Sequence, residues 1–275
     1  ISYTYDIASR LTDAVDSASS IKYSYDSLNR VAKVESSSPK TAEAKVVEYG
    51  YDKNSNRVKL NYPDGAYITY SYDQLNRLVA ILNDQDQQIS SYGYDVLSRR
   101  ANLTVGNGRQ TDYTYDNINR LASLSLKGVS GGGDEAISYT YDKVGNRLNK
   151  QAASGTESYT YDKIYQLTNT AYPDTTTGAY NYDSLGNRTT TVIGGTTATY
   201  TANSLNQYTK VDNTTYAYDL NGNLTQDGAN IYTYDSENRL KSSLRGGEAD
   251  EAISYTYDPF GRRVTKDEGG GAITR

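Results

Sequence analysis

The chain has 275 residues, a formal net charge of −5 from 33 acidic and 28 basic residues, and neither cysteine nor histidine. These counts exclude a disulfide framework and a thiolate metal site, and they remove the usual general base and the thiol nucleophile. Charges of both signs scattered along the chain also exclude the clustered basic face of a nucleic-acid binder.

Thirty tyrosines stand against one phenylalanine, with no Trp and no Met, and the mean hydropathy is −0.75. Any apolar layer must therefore be built largely from Tyr, whose hydroxyl needs a partner when covered.

Read in order, one unit recurs. It opens the chain at Ile1-Ser2-Tyr3-Thr4-Tyr5-Asp6 and is clearest in Tyr23-Ser24-Tyr25-Asp26-Ser27-Leu28-Asn29-Arg30-Val31. It returns with Tyr70, Tyr72, Asp73 and Arg77, with Tyr113, Tyr115, Asp116 and Arg120, and with Tyr232, Tyr234, Asp235 and Arg239. The Asp after the second Tyr marks the intact copies: Asp6, Asp26, Asp52, Asp73, Asp95, Asp116, Asp142, Asp162, Asp183, Asp219, Asp235 and Asp258. A degenerate copy around 200–208, with Asn203 in place of Asp, brings the count to 13 at about 21 residues each. The motifs hold 25 of the 30 tyrosines. The expectation is a single repeat array over residues 1–275, cut from a larger protein because the chain begins inside a repeat.

Each unit predicts a β-hairpin. In Tyr-x-Tyr the two rings lie on one strand face and the small residue between them points the other way. Asp starts a turn by accepting a backbone N–H two residues on. Asn or Gly three residues after Asp fits a type I turn closed by a left-handed residue, and Arg30 and its equivalents are placed to pair with the Asp. Asp52-Lys53-Asn54-Ser55-Asn56-Arg57, Asp142 to Arg147 and Asp183 to Arg188 carry the Arg one residue later and are expected to form loops one residue longer. Excess length falls in Ser36 to Pro39, Gly128 to Gly133 and Gly246-Gly247, read as surface loops. Asp134 to Asp142 recurs identically as Asp250 to Asp258, a pattern of duplication. The longest apolar run, Leu78 to Leu82, is far short of a membrane span.

Two strands per repeat give about 26 strands, or roughly 125 Å of unrolled sheet. Sheets of that width curl or close, and too many strands are present for side chains to fill the interior. The expected fold is all-β: antiparallel hairpin repeats wound into a hollow spiral shell or a large barrel-like solenoid, with tyrosines stacked from repeat to repeat.

Other chemistries are weaker. Asp52-x-Asn54-x-Asn56 and Asp219-x-Asn221-x-Asn223 resemble the opening of a calcium loop, but the sixth position is Arg57 or Leu224 rather than Gly, and the twelfth is Pro63 or Asn230 rather than Glu. Turn chemistry accounts for both. The five non-motif tyrosines, Tyr62, Tyr67, Tyr165, Tyr172 and Tyr208, are candidates for stacking on a cell-surface glycan. Sequons at Asn102, Asn187, Asn213 and Asn223 matter only in a glycosylating host. No metal or cofactor site and no enzyme activity is expected.

The run Tyr-x-Tyr-Asp-x-x-(Asn/Gly)-Arg-Leu, alternating with Tyr-Asp-x-x-Gly-Asn-Arg, resembles the YD repeat of the Rhs family, which includes bacterial polymorphic and wall-associated toxins, insecticidal toxin-complex components and teneurins. The resemblance covers essentially the whole chain, and Tyr257-Asp258-Pro259-Phe260-Gly261-Arg262-Arg263 is similar to the last repeats before the core of bacterial members. Departures are Gln166 and Gln207 for Arg, Leu224 after Asn223, and Asn203 for Asp. The resemblance implies a secreted or cell-surface shell that encloses a C-terminal toxin domain of the same parent protein. In such relatives a core with an aspartyl self-cleavage site follows the repeats; no residue before Arg275 matches it, so no catalytic residue carries over. The alternative expectation is an extracellular fibre or adhesin of copies stacked end to end, its strand edges unpaired.

Overall fold

The computed structural model describes residues 1–38, 43–128, 133–246, 252–268 and 273–274. Parts of the three glycine-, serine- and proline-containing stretches singled out above (39, 129–132 and 247) lie outside these residues, as do Asp250 and Glu251. Among the described residues every regular element is a β-strand. The chain divides into two compact units, unit 1 formed by Ile1–Tyr70 with Thr214–Arg275 and unit 2 by Ser71–Asn213.

Unit 1 begins with β1 (Ser2–Tyr5), β2 (Leu11–Val15), β3 (Ser20–Tyr25), β4 (Val31–Ser37), β5 (Lys45–Tyr51), β6 (Arg57–Asn61) and β7 (Tyr67–Tyr72), the last running across the division. Unit 2 carries β8 (Leu78–Asn83), β9 (Gln88–Tyr94), β10 (Arg100–Val105), β11 (Gln110–Tyr115), β12 (Leu121–Lys127), β13 (Glu135–Tyr141) and β14 (Arg147–Ala152). It continues with β15 (Gly155–Tyr161), β16 (Leu167–Ala171), β17 (Thr177–Tyr182), β18 (Arg188–Ile193), β19 (Thr196–Ala202) and β20 (Tyr208–Val211). Unit 1 resumes with β21 (Thr214–Tyr218), β22 (Leu224–Asp227), β23 (Asn230–Tyr234), β24 (Leu240–Leu244), β25 (Ala252–Tyr257), β26 (Arg263–Asp267) and β27 (Ile273–Thr274).

Neighbours in sequence pair antiparallel, from β1 to β7 and from β21 to β27 in unit 1, and from β8 to β20 in unit 2. This is the all-β hairpin array the repeat predicts.

The turn of each repeat is the same at all 13 copies. The N–H of Asp26 donates to the Arg30 carbonyl (2.9 Å) and the N–H of Asn29 to the Asp26 carbonyl (3.1 Å), while Asn29 takes φ 63°. That left-handed slot is filled by Ser, Asn or Gly in every copy except at Tyr165 (φ 67°). The three copies expected to have longer loops do not. Asp52 closes on Asn56, Asp142 on Asn146 and Asp183 on Asn187 with the same pair of backbone bonds. The difference lies in which side chain follows the turn, not in its length.

The four-residue closure also recurs between repeats, at Tyr62–Ala66, Asn83–Gln87, Val105–Arg109 and Tyr172–Thr176. No Tyr-x-Tyr-Asp signature announces those turns, so pattern reading passes over them.

After the turn the returning strand carries one extra residue. Tyr25 pairs with Val31 but Ser24 with Lys33, and the equivalent shift occurs in each repeat hairpin whose register is described, for example at Thr114/Tyr115 and Thr256/Tyr257. Such a bulge leaves backbone groups outside the ladder.

The sheet has two unlike faces. Residues between the paired tyrosines, such as Ser24, Thr114 and Thr233, are exposed; Thr114 and Thr233 form cross-strand hydroxyl pairs with Ser123 and Ser242 at 2.6 Å. The tyrosine face is half-buried. Among the described residues the buried apolar side chains are Ala14, Ile21 and Pro259.

Candidate functional site

Each turn is held by its Asp. The Asp26 carboxylate accepts the N–H groups of Leu28 and Arg30 on one oxygen (both 2.9 Å) and the Arg30 Nε on the other (2.7 Å). Asp73 with Arg77, Asp116 with Arg120 and Asp235 with Arg239 repeat the arrangement, with side-chain contacts of 2.6–2.7 Å. The Arg30 N–H holds the Asp26 carboxyl below its ordinary range, partly opposed by desolvation and helped by the guanidinium. Where the sequence shifts the Arg by one residue, Asn takes its place: the Asn56 amide donates to Asp52 at 2.9 Å and is the largest cause of that carboxyl's lowered pKa. At the degenerate copy Asn203 donates its own amide to Gln207 at 2.9 Å, so the hairpin survives loss of the charge.

The same side chains join one repeat to the next. The Arg10 guanidinium lies 4.6 Å from the Tyr25 ring centroid and Arg30 4.5 Å from Tyr51; Arg77, Arg99 and Arg120 lie at 4.5–4.6 Å over Tyr94, Tyr115 and Tyr141, and Arg239 at 5.1 Å over Tyr257. Their Nη1 atoms reach the following turn: Arg30 donates to the Asp52 carbonyl at 3.0 Å, Arg120 to that of Asp142 at 2.7 Å, and Arg99 to the Asn119 amide oxygen at 2.7 Å.

The second tyrosine answers in the opposite direction. Tyr25 donates to the Leu11 carbonyl (2.7 Å), Tyr51 to Val31 (2.8 Å), Tyr141 to Leu121 (2.8 Å) and Tyr257 to Leu240 (2.7 Å). These acceptors sit at the bulge, where the ladder releases a carbonyl.

The expected tyrosine-on-tyrosine stacking is therefore replaced by alternation of Tyr and Arg. Equivalent tyrosines are two strands, about 9.6 Å, apart, beyond the 4.5–7 Å of ring pairs, and the intervening strand supplies the Arg. When the Arg is shifted by one residue it enters the row of first tyrosines instead: Arg57 lies between Tyr49 and Tyr70 (5.9 and 4.8 Å) and Arg147 between Tyr139 and Tyr159 (5.7 and 4.7 Å). Among the described residues, Tyr200 and Tyr208 form a close tyrosine pair, at 5.3 Å.

Of the other first-row residues, Tyr23 is pushed to higher pKa by burial because the last repeat folds onto the first two within unit 1. Phe260 lies 6.3 Å from Tyr3 and 6.2 Å from Tyr23, nearly perpendicular to the latter. The Tyr3 hydroxyl donates to the Pro259 carbonyl at 3.1 Å, and Asp258 is 5% exposed. A cleft of about 370 Å³ beside this contact is lined by Ile21, Val34, Val47, Tyr49, Lys45 and Arg263. Nothing in the sequence pattern paired Phe260 with the first strands; its being the lone Phe was the available signal.

The other candidates are placed as follows. In the calcium-like runs the Asp52 and Asp219 carboxylates are occupied by turn N–H groups and by the amides of Asn56 and Asn223. Among the described residues no group of three acidic side chains gathers around a common point. The five tyrosines considered for glycan stacking are dispersed. Tyr62 starts an inter-repeat turn, Tyr67 lies under Lys59 (3.8 Å), and Tyr208 accepts from the Arg188 N–H. Tyr165 and Tyr172 occupy turns at opposite edges of the unit 2 sheet.

Comparison with known proteins agrees with this architecture. The family model described as Teneurin YD-shell matches residues 146–275. The tRNA nuclease WapA of Bacillus subtilis is 41% identical over 66 residues, as is the tRNA3(Ser)-specific nuclease WapA of Bacillus spizizenii; the match covers 24% of this chain and 3% of each relative. The Tc holotoxin pore of Photorhabdus luminescens superposes with TM-score 0.81 at 18% identity, over 95% of this chain and 16% of that one. A TcdB2–TccC3 structure gives 0.78 at 15%, over 98% and 18%. These likenesses bear out the shell fold expected of the repeat.

Proposed function

We propose that this chain, which belongs to the Rhs family of YD-repeat proteins, walls off a toxic C-terminal domain of its own parent protein until delivery outside the bacterial cell. It is a shell segment. The observation that carries the finer reading is the way the repeat spends its polar groups. Asp serves the turn, Arg serves the turn and the next repeat, and the Tyr hydroxyl serves the previous repeat. A continuous sheet stitched in both directions is suited to excluding other molecules, and its role is steric rather than catalytic. The enclosed partner is suggested by the nuclease relatives, which are 41% identical to this chain over 66 residues.

Protease challenge of the full-length parent protein tests this. The domain that follows the repeats should resist digestion in the native protein and become cleavable once the array is unfolded. Equal cleavage before and after unfolding, or a full-length chain carrying no further domain, refutes it.

A further inference from the structure

The chain holds thirty tyrosines and no Cys, Met, Trp or His. The sulfur side chains that ordinarily take up an oxidant are absent, so one-electron oxidation of this protein falls on the phenols. Whether two oxidised phenols can join depends on how the rings are spaced.

Over most of unit 2 the spacing keeps them apart. Equivalent tyrosines stand two strands from one another, and the side chain between them, five residues after the Asp of the turn, is Leu78, Arg100, Leu121, Arg147, Leu167 or Arg188. The degenerate repeat departs from this pattern. Five residues after Asn203 stands Tyr208, and no other copy of the motif places an aromatic residue there.

The result is direct contact between two phenols. The Tyr208 ring centroid lies 5.3 Å from that of Tyr200 at an interplanar angle of 52°, inside the range of about 4.5–7 Å for touching rings. The pair is well held. The register of β19 and β20 sets Tyr208 opposite the small Ala202, two residues from Tyr200 on the same strand face. The Arg188 guanidinium stands 5.8 Å from the Tyr200 ring centroid, and the Arg188 backbone N–H donates to the Tyr208 hydroxyl at 2.8 Å. Both rings are half-buried, so water can still take their protons. This hairpin also lacks the ion pair that clasps Asp26 to Arg30 and its equivalents, because Asn203 and Gln207 share only a neutral amide contact of 2.9 Å.

We propose that Tyr200 and Tyr208 form a site of oxidative cross-linking, joined by hydrogen peroxide and a haem peroxidase into a dityrosine that staples β19 to β20. Each phenol gives up one proton and one electron. The two phenoxyl radicals form a carbon–carbon bond between positions ortho to their oxygens, and the two ortho hydrogens move to the oxygens to restore the phenols. The released protons and electrons reduce one hydrogen peroxide to two waters. The link supplies a covalent clasp where the charged one is missing, in a chain that has no cysteine for a disulfide.

Treating the dilute protein with haem peroxidase and hydrogen peroxide tests this. Trypsin releases residues 189–210, bounded by Arg188 and Lys210, with both rings in one peptide. That peptide should lose two hydrogens, show the blue emission of dityrosine and give no fragment ions from cleavage between Tyr200 and Tyr208. Tyr208→Leu, which installs the residue that Leu167 and Leu224 supply in nearby copies, should abolish the linked peptide, and Tyr200→Phe should do the same. Coupling elsewhere in the array with residues 189–210 unmodified, links between molecules only, ring hydroxylation without coupling, or a chain unchanged by the treatment each overturn the proposal.

Discussion

Unit 1 and unit 2 use the same turn, the same bulge and the same Arg–Tyr stitching, yet they bury different things. Among the described residues all three buried apolar side chains, Ala14, Ile21 and Pro259, lie in unit 1, where the last turn folds onto the tyrosine face of the first strands. Among the described residues unit 2 buries only the small polar side chains Ser90, Thr170 and Thr191. The repeat by itself thus builds a sheet one layer thick, and a core arises only where one part of the array lies on another. The stitching is internal to the sheet; the dry layer is borrowed.

This contrast can be broken by mutation. The largest effect is expected at Ile21, 1% exposed: Ile21→Ala should cost about 2–5 kcal/mol. Hydrogen exchange should report it in β1–β5 and β25–β26 and leave β8–β20 unchanged, because repeat arrays lose stability locally. Uniform loss across both units would show that the difference between them is not energetic.

Phe260→Ala comes next, at roughly 1–2 kcal/mol for two lost ring contacts. Its mark is faster exchange in β1, β3 and β25, with the turn at Asp258 still closed by Arg262. Unchanged exchange in β1 and β3 would mean the seat contributes nothing.

In unit 2 the expected change is a gain. Tyr165 is a bulky residue in the left-handed slot at φ 67°, so Tyr165→Asn should stabilise the β15–β16 hairpin by about 1 kcal/mol, read as slower exchange there. A loss of stability would show that the Tyr165 ring makes a contact worth more than the strain.

Acid should discriminate least. Asp6, Asp26, Asp52, Asp219 and Asp235 in unit 1 and Asp73, Asp95, Asp116, Asp142 and Asp183 in unit 2 are all held below the usual 3.8. Because the folded values are depressed, this stabilisation is complete above pH 3.8 and is lost as pH falls through the lower folded values. Both units should therefore lose protection together below pH 3.8, with the turn at Asn203, which has no proton to gain, changing least. A unit that opens well before the other on acid titration would break the equivalence of their turns.

The turn was legible because everything it needs lies within five residues. Asp26 accepts from its own loop, and Asn29 occupies the one backbone conformation that penalises most other residues. The meaning of the shifted Arg was not legible. Counting from Asp to Arg suggested a longer loop at Asp52, Asp142 and Asp183, whereas Asn56, Asn146 and Asn187 replace the Arg within the same loop and release it to the other tyrosine row. Spacing along the chain cannot separate a change of loop from a change of side-chain partner, since both move the Arg by one.

The sequence by itself determined the hairpin, its left-handed slot and the two-faced strand, because these follow from short-range hydrogen bonds and alternation. Only the tertiary structure decided that Arg stands between tyrosines and that each Tyr hydroxyl takes the bulge carbonyl of the preceding repeat. It alone also put Phe260 against Tyr3 and Tyr23, some 240–260 residues away along the chain. Those contacts depend on which strand lies beside which and on where the array meets itself, and neither is encoded in the pattern of a single repeat.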